Sequence, residues 1–122
     1  MVDLAEPPKP LLKVKNLSKN FSVEKNFFGK TTKSLRAVHN VEFEIFPGEC
    51  LSLVGESGCG KSTTARLILN LIKADHGEVN FDGDELLSMD SSKLRKKRED
   101  LQMVFQNPFS SLDPRFTIFD SI

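Results

Sequence analysis

The 122 residues suffice for one small domain or for part of a larger one. Lys plus Arg and Asp plus Glu stand at 17 each, so a formal net charge of zero excludes a general pull toward nucleic acid or anionic lipid. With 39% hydrophobic and 28% charged residues the composition is that of a folded soluble chain, not a disordered one. The longest apolar run, residues 67–72, is broken by Asn70 and is far short of the roughly 20 residues a membrane span needs. Cys50 and Cys59 form no CxxC pair, and His39 and His76 are isolated, so no zinc site is expected. Two thiols without a disulfide framework suit a reducing compartment. Residues 1–10 form a polar, proline-rich leader without the apolar centre of a secretory signal.

Pro7, Pro8 and Pro10 precede a short strand over residues 11–14. The polar stretch 24–34 has no clear period and reads as a loop or insertion, with Phe27 and Phe28 as possible anchors. Val41, Phe43 and Ile45 alternate with Glu42 and Glu44, which predicts a half-exposed strand. Pro47-Gly48 ends it in a turn. Residues 51–54 are a short apolar run between turn signals, the pattern of a buried strand in a parallel sheet. A helix follows from Lys61. Ala65, Ile68, Leu69 and Ile72 stand at i, i+3, i+4 and i+7 on one face, and the 75–77 turn ends that region. Val79 and Phe81 suggest a strand closed by Asp82-Gly83. Residues 92–99 (SKLRKKRE) read as a solvated basic helix face, since no aromatic interleaves the charges. Residues 101–105 read as a strand, 107–115 as a loop, and 117–122 as the start of a helix.

The chemistry sits in Gly55-Glu56-Ser57-Gly58-Cys59-Gly60-Lys61-Ser62, which fits G-x-x-x-x-G-K-[ST] and is followed by Thr63. Binding a polyphosphate requires several backbone N–H groups aimed into one concavity, and glycine lets the backbone approach without a Cβ. The helix that follows turns its unsatisfied donors and positive dipole end to the same spot. Lys61 adds a positive charge for the β- and γ-phosphates, and the Ser62 hydroxyl is placed to ligate Mg2+. The position between a predicted strand and a predicted helix is the context this loop requires. Cys59 fills a variable position of the loop.

From about residue 11 onward the chain resembles the ATP-binding subunits of ABC transporters. The loop GESGCGKST is typical of that family. Leu17-Ser18-Lys19-Asn20-Phe21 resembles the segment whose aromatic stacks on adenine, with Phe21 at the matching position. Gln106, after the 101–105 run, resembles the glutamine that reaches the Mg2+ and attacking-water region and senses the membrane partner; an amide suits this as donor and acceptor at once. The continuation through Asn107, Pro108, Phe109, Leu112, Asp113, Pro114 and Arg115 is similar to the oligopeptide/dipeptide and nickel importer branch. Phe109, Phe116 and Phe119 either line the groove that receives a permease helix or belong to the core.

The resemblance implies an α/β fold, the N-terminal part of a P-loop NTPase domain of ABC type. A β-rich subdomain joins a strand–loop–helix core, and the sheet is incomplete. It implies ATP and Mg2+ as cofactors, held by Phe21, Gly55, Glu56, Ser57, Gly58, Cys59, Gly60, Lys61, Ser62, Thr63 and Gln106, with Ser62 and Gln106 at the metal. The partners implied are membrane permeases and a second ATP-binding subunit, with no nucleic acid. The location implied is the cytoplasmic face of the plasma membrane. The 122 residues contain no LSGGQ-like signature, no apolar run ending in Asp-Glu, and no histidine in the family's switch position. Residues 11–122 are therefore expected to be the N-terminal portion of one nucleotide-binding domain. Lys61 and Gln106 are its only catalytic groups, and hydrolysis by this stretch alone is not expected. The alternatives are a non-hydrolysing nucleotide-binding fragment without a transport role, and another class of ABC-type ATPase.

Overall fold

The computed structural model describes residues 8–25 and 31–106, with Thr117 and Phe119. Two long strands, β1 (Leu12–Lys25) and β2 (Thr31–Ile45), pair antiparallel. The other edge of β1 pairs antiparallel with β3 (His76–Phe81), which turns back into β4 (Asp84–Glu85). The sheet order is β2-β1-β3-β4. Helices α1 (Lys61–Ile68) and α2 (Ser91–Lys97) are the remaining long elements. Leu67 of α1 and Leu94 of α2 join Val14, Leu17, Val38, Val79 and Leu86 in one buried cluster.

β1 and β2 are longer than their sequence patterns predict, and two asparagines explain part of the difference. Asn16 (φ 49°) and Asn40 (φ 46°) take the left-handed conformation that asparagine tolerates. Around Asn16 the register of β1 slips, so Val14 and Leu17 are both buried although an uninterrupted strand would put them on opposite faces. The Ser18 hydroxyl accepts a hydrogen bond from the Asn40 N–H at 3.0 Å and links the two irregular points. The expected loop over residues 24–34 is corrected at both ends. Glu24 pairs with Lys33 and Lys25 with Thr31, so strand reaches residue 25 and resumes at residue 31. Backbone pairing holds this end, and it leaves no apolar period to read. Phe27 and Phe28 lie outside the described residues. The alternation over 41–45 holds, with Val41, Phe43 and Ile45 half-buried and Glu42 and Glu44 exposed.

The expected helix is shorter than its apolar pattern. Asn70 (φ 48°) stops it. Its N–H donates to Leu67 O at 2.9 Å and the Leu71 N–H donates to Arg66 O at 2.9 Å, the paired bonds of a Schellman ending. The buried residues of α1 are Thr64 and Leu67, not the expected stripe; Ala65 and Ile68 are half-buried, while Leu69 is the cap and Ile72 lies beyond the helix. The basic segment is helical as read. Asp90 caps α2 by accepting from the Ser92 and Lys93 N–H groups at 2.9 and 3.1 Å. Leu94 turns inward, and Lys97 reaches Asp84 at 2.8 Å.

Two expected strands are not strands. Residues 51–54 and 101–105 pair with no described strand. Val54 is 92% and Val104 96% exposed, and Leu51, Leu53 and Phe105 are exposed too. Their apolar content suggests strand, and for 51–54 a buried one, but a strand exists only with a neighbour to accept its ladder bonds. The sheet that does form is wholly antiparallel. The helical start expected at 117–122 falls mostly outside the described residues.

Gly77 carries a close backbone crossing between β3 and β1. Its φ is +116°, and a Cβ there would lie 2.6 Å from Leu17 Cα and 2.8 Å from Lys15 O. Gly83 (φ +84°) shares the β3–β4 turn with Asp82 (φ 50°), the sign pattern of a primed hairpin turn, but has open space around it. Gly77→Ala is expected to cost about 3 kcal/mol in urea unfolding, and Gly83→Ala only about 1 kcal/mol. Equal losses would contradict the close crossing.

The Glu85 carboxylate accepts from the Val79, Leu87 and Ser88 N–H groups at 3.1, 3.2 and 2.7 Å. Burial pushes its pKa up, but a hydrogen bond from the Ser88 side chain and these N–H bonds together outweigh burial and hold it below the ordinary value. A depressed folded pKa gives stability that is present above the unfolded pKa and lost as pH falls through the folded one. Glu85→Gln is therefore expected to be less stable by about 1–2 kcal/mol at neutral pH. The gap to the parent should narrow as pH falls through and below the ordinary glutamate pKa of about 4.3, read as unfolding midpoint against pH.

Candidate functional site

The glycine loop enters α1 through Gly60, whose φ of 99° is left-handed. A Cβ on Gly60 would collide with the backbone carbonyl of Ala37 on β2, so only glycine lets the helix N-terminus come this close to the sheet. The Thr64 N–H and hydroxyl both donate to Gly60 O, at 2.8 and 3.0 Å. The Lys61 ammonium folds back over the loop and donates to Gly55 O at 2.7 Å and Glu56 O at 2.6 Å, with Cys59 Sγ at 3.4 Å. The Cys59 N–H donates to Glu56 O at 3.3 Å. A cation bound to the carbonyls at one end of the loop draws it into a ring.

Ser57, Gly58, Gly60, Lys61, Ser62 and Thr63 line a depression of about 430 Å3, and Gln106 lines it with them. Gln106 thus meets the phosphate loop from a distant stretch of chain. The N–H groups of Lys61, Ser62 and Thr63, in the first turn of α1, donate to no other described residue. These are the orphan donors of a helix start, and they face an anion favourably. Gly55, Glu56 and Cys59 shape the loop without lining the depression: two supply carbonyls to Lys61, and the Cys59 sulfur fills the space that a side chain on Gly55 would need.

Phe21 is not part of that lining. It lies on β1 opposite Leu35, 39% exposed, with the Lys19 ammonium 5.6 Å from its ring centroid. Leu35 stands two residues before Ala37, against which Gly60 rests. Two residues along a strand and one strand spacing are about 7 and 5 Å, a separation a nucleoside can bridge. Ala37 was not singled out in the sequence, because its contribution is a carbonyl and nothing in its residue type signals it. Phe119 is 91% exposed, while Phe109, Phe116 and the stretch 107–115 lie outside the described residues. Among the described residues no group of three His, Cys, Asp or Glu is placed to hold a metal, and no helix is long and apolar enough to cross a membrane. A larger depression, about 650 Å3, lies between Asn70–Ala74 and α2. It has no glycine cradle, and at the start of α2 the Asp90 carboxylate already takes the Ser92 and Lys93 N–H groups, so size does not make it the phosphate site.

A glycine-rich loop of G-x-x-x-x-G-K-S form set between an antiparallel sheet and a helix points to the class, and the comparisons agree. The family model described as ABC transporter matches residues 38–121, well over half of the chain, and the chain belongs to that family. It is 44% identical over 114 residues to the glutathione import ATP-binding protein GsiA of Pectobacterium atrosepticum, covering 93% of this chain and 18% of that protein. The GsiA protein of Escherichia coli K12 is 46% identical over the same share of both chains. The chain thus spans under a fifth of the length of these relatives. Among solved structures, the dimeric bacterial ABC transporter cassette MJ0796 superposes with a TM-score of 0.72 at 34% identity, covering 87% of this chain and 42% of that one. Cassette cbiO1 of Clostridium perfringens gives 0.64 at 27% identity, covering 85% and 37%.

The fit of Cys59 against Gly55 can be tested directly. A Cβ on Gly55 would lie 2.7 Å from the Cys59 sulfur and 3.8 Å from its Cβ. Gly55→Ala is expected to lower stability by about 1–2 kcal/mol, and Cys59→Ala in the same chain to recover most of it. Strict additivity in a double-mutant cycle of thermal unfolding would show that the two residues do not touch.

Proposed function

We propose that this chain is the ATP-binding part of an ABC importer subunit that energises uptake of peptides or similar small solutes. The observation that carries nucleotide binding is the meeting of Gln106 with Ser57, Gly58 and Gly60–Thr63 around one depression. The glycine cradle, the orphan N–H groups and the Lys61 ammonium suit an anionic polyphosphate in number and sign of charge. On this reading Lys61 binds the β- and γ-phosphates, and Phe21 stacks on the adenine. Mg2+ would be held by the Ser62 hydroxyl and the Gln106 amide oxygen, where it supplies charge neutralisation for the phosphates. Gln106 orients groups near the γ-phosphate and exchanges that information with a membrane partner.

The solute class is supported by the relatives, which are named for import of glutathione, itself a small peptide. The assembly proposed is a pair of ATP-binding subunits docked on permeases through the region after Gln106, at the inner face of the plasma membrane. MJ0796, a family member of similar fold, is described as dimeric.

A ligand that binds only the folded state at 100 times its Kd adds about 2.7 kcal/mol of stability. Mg-ATP is expected to raise the unfolding midpoint accordingly, and Lys61→Ala to abolish the rise. An equal rise in variant and parent would remove the phosphate loop as the site.

A further inference from the structure

The stretch from Ser18 to Phe21 is held at three points by one residue outside the sheet. The Asp75 N–H donates to Ser18 O at 3.0 Å. Its carboxylate accepts the Asn20 N–H at 2.7 Å and the Lys19 ammonium at 2.8 Å. Pairing between β1 and β3 ends at Ser18 and His76, so Asp75 takes over where that ladder stops. β1 also changes register against β2 on both sides of Lys19, and the segment would otherwise be loosely specified. The bond from Lys19 together with that from Asn20 keeps the Asp75 pKa below the ordinary carboxylate range. Lys19 in turn lies over the Phe21 ring, with its side chain only 16% exposed, while Phe21 itself stays 39% exposed.

We propose that Asp75 is a positioning residue for base recognition: it fixes Lys19 against one face of Phe21, so that the other face is held flat and ready for an adenine ring. A free Lys19 ammonium samples many rotamers, and the Asp75 carboxylate selects one of them. The cation on the far face anchors the ring through its quadrupole and draws electron density from it, which favours stacking with an electron-rich purine on the near face. The inference rests on the reading of Phe21 as the adenine platform.

The test uses the complete gene product that contains this sequence and two probes, ATP and inorganic tripolyphosphate, titrated by calorimetry. Phe21→Ala is expected to weaken ATP roughly tenfold and leave tripolyphosphate unchanged. Asp75→Asn, which can still accept the Asn20 N–H, should weaken ATP roughly threefold, leave tripolyphosphate unchanged, and add nothing in a Phe21→Ala background. Lys19→Met keeps the stem without the charge and should repeat the selective loss, which covers the case of a poorly folding Asp75 variant. Equal losses for both probes in Asp75→Asn and Lys19→Met would make the pair merely structural and overturn the proposal. An unchanged ATP affinity in both, with Phe21→Ala still weak, overturns the proposal and leaves the platform standing. Normal ATP binding by Phe21→Ala removes the platform and the proposal together.

Discussion

Gly60 rests against the Ala37 carbonyl, and the arrangement of the site follows from that approach. A helix start carries unsatisfied donors wherever it sits; what makes it useful is being fixed relative to other groups. Here the left-handed glycine presses the start of α1 onto β2. The same strand, two residues earlier, faces Phe21 across the β1–β2 ladder. One backbone contact thus relates the candidate phosphate cradle to the candidate base platform. A side chain at position 60 would push them apart, with a larger effect on geometry than on buried area.

The loop is also closed from within. Lys61 holds the Gly55 and Glu56 carbonyls, and Thr64 secures Gly60 from the helix side. Neither arrangement needs a large core, which suits a chain in which few side chains are fully buried among the described residues. A loop built from short internal bonds keeps its shape through local geometry, while the sheet and Leu67 fix where it stands.

The sequence was most readable where one residue type has one physical use. The G-x-x-x-x-G-K-S spacing marked the loop, Asp82-Gly83 marked the β3–β4 turn, and the alternation at 41–45 marked the end of β2. It was least readable where an asparagine acts as a backbone element. Asn16 and Asn40 break the period of two in β1 and β2, and Asn70 ends α1 while apolar residues continue to Ile72. The strand readings at 51–54 and 101–105 failed for another reason. Apolar content specifies burial but supplies no pairing partner, and the described sheet offers none. Gln106 was legible as a type and a place in the chain, yet its convergence on the loop is a matter of tertiary structure.

The central claim is that main-chain amides between Ser57 and Thr63 grip the anionic tail of a nucleotide. Amide-resolved NMR on the complete gene product, titrated with Mg-ATP, tests it most directly. The account predicts that the N–H resonances of Gly58, Gly60, Lys61 and Ser62 and the side-chain amide of Gln106 move together along one binding curve. Stationary loop resonances, with shifts gathered instead around Asn70 and Arg98, would contradict it.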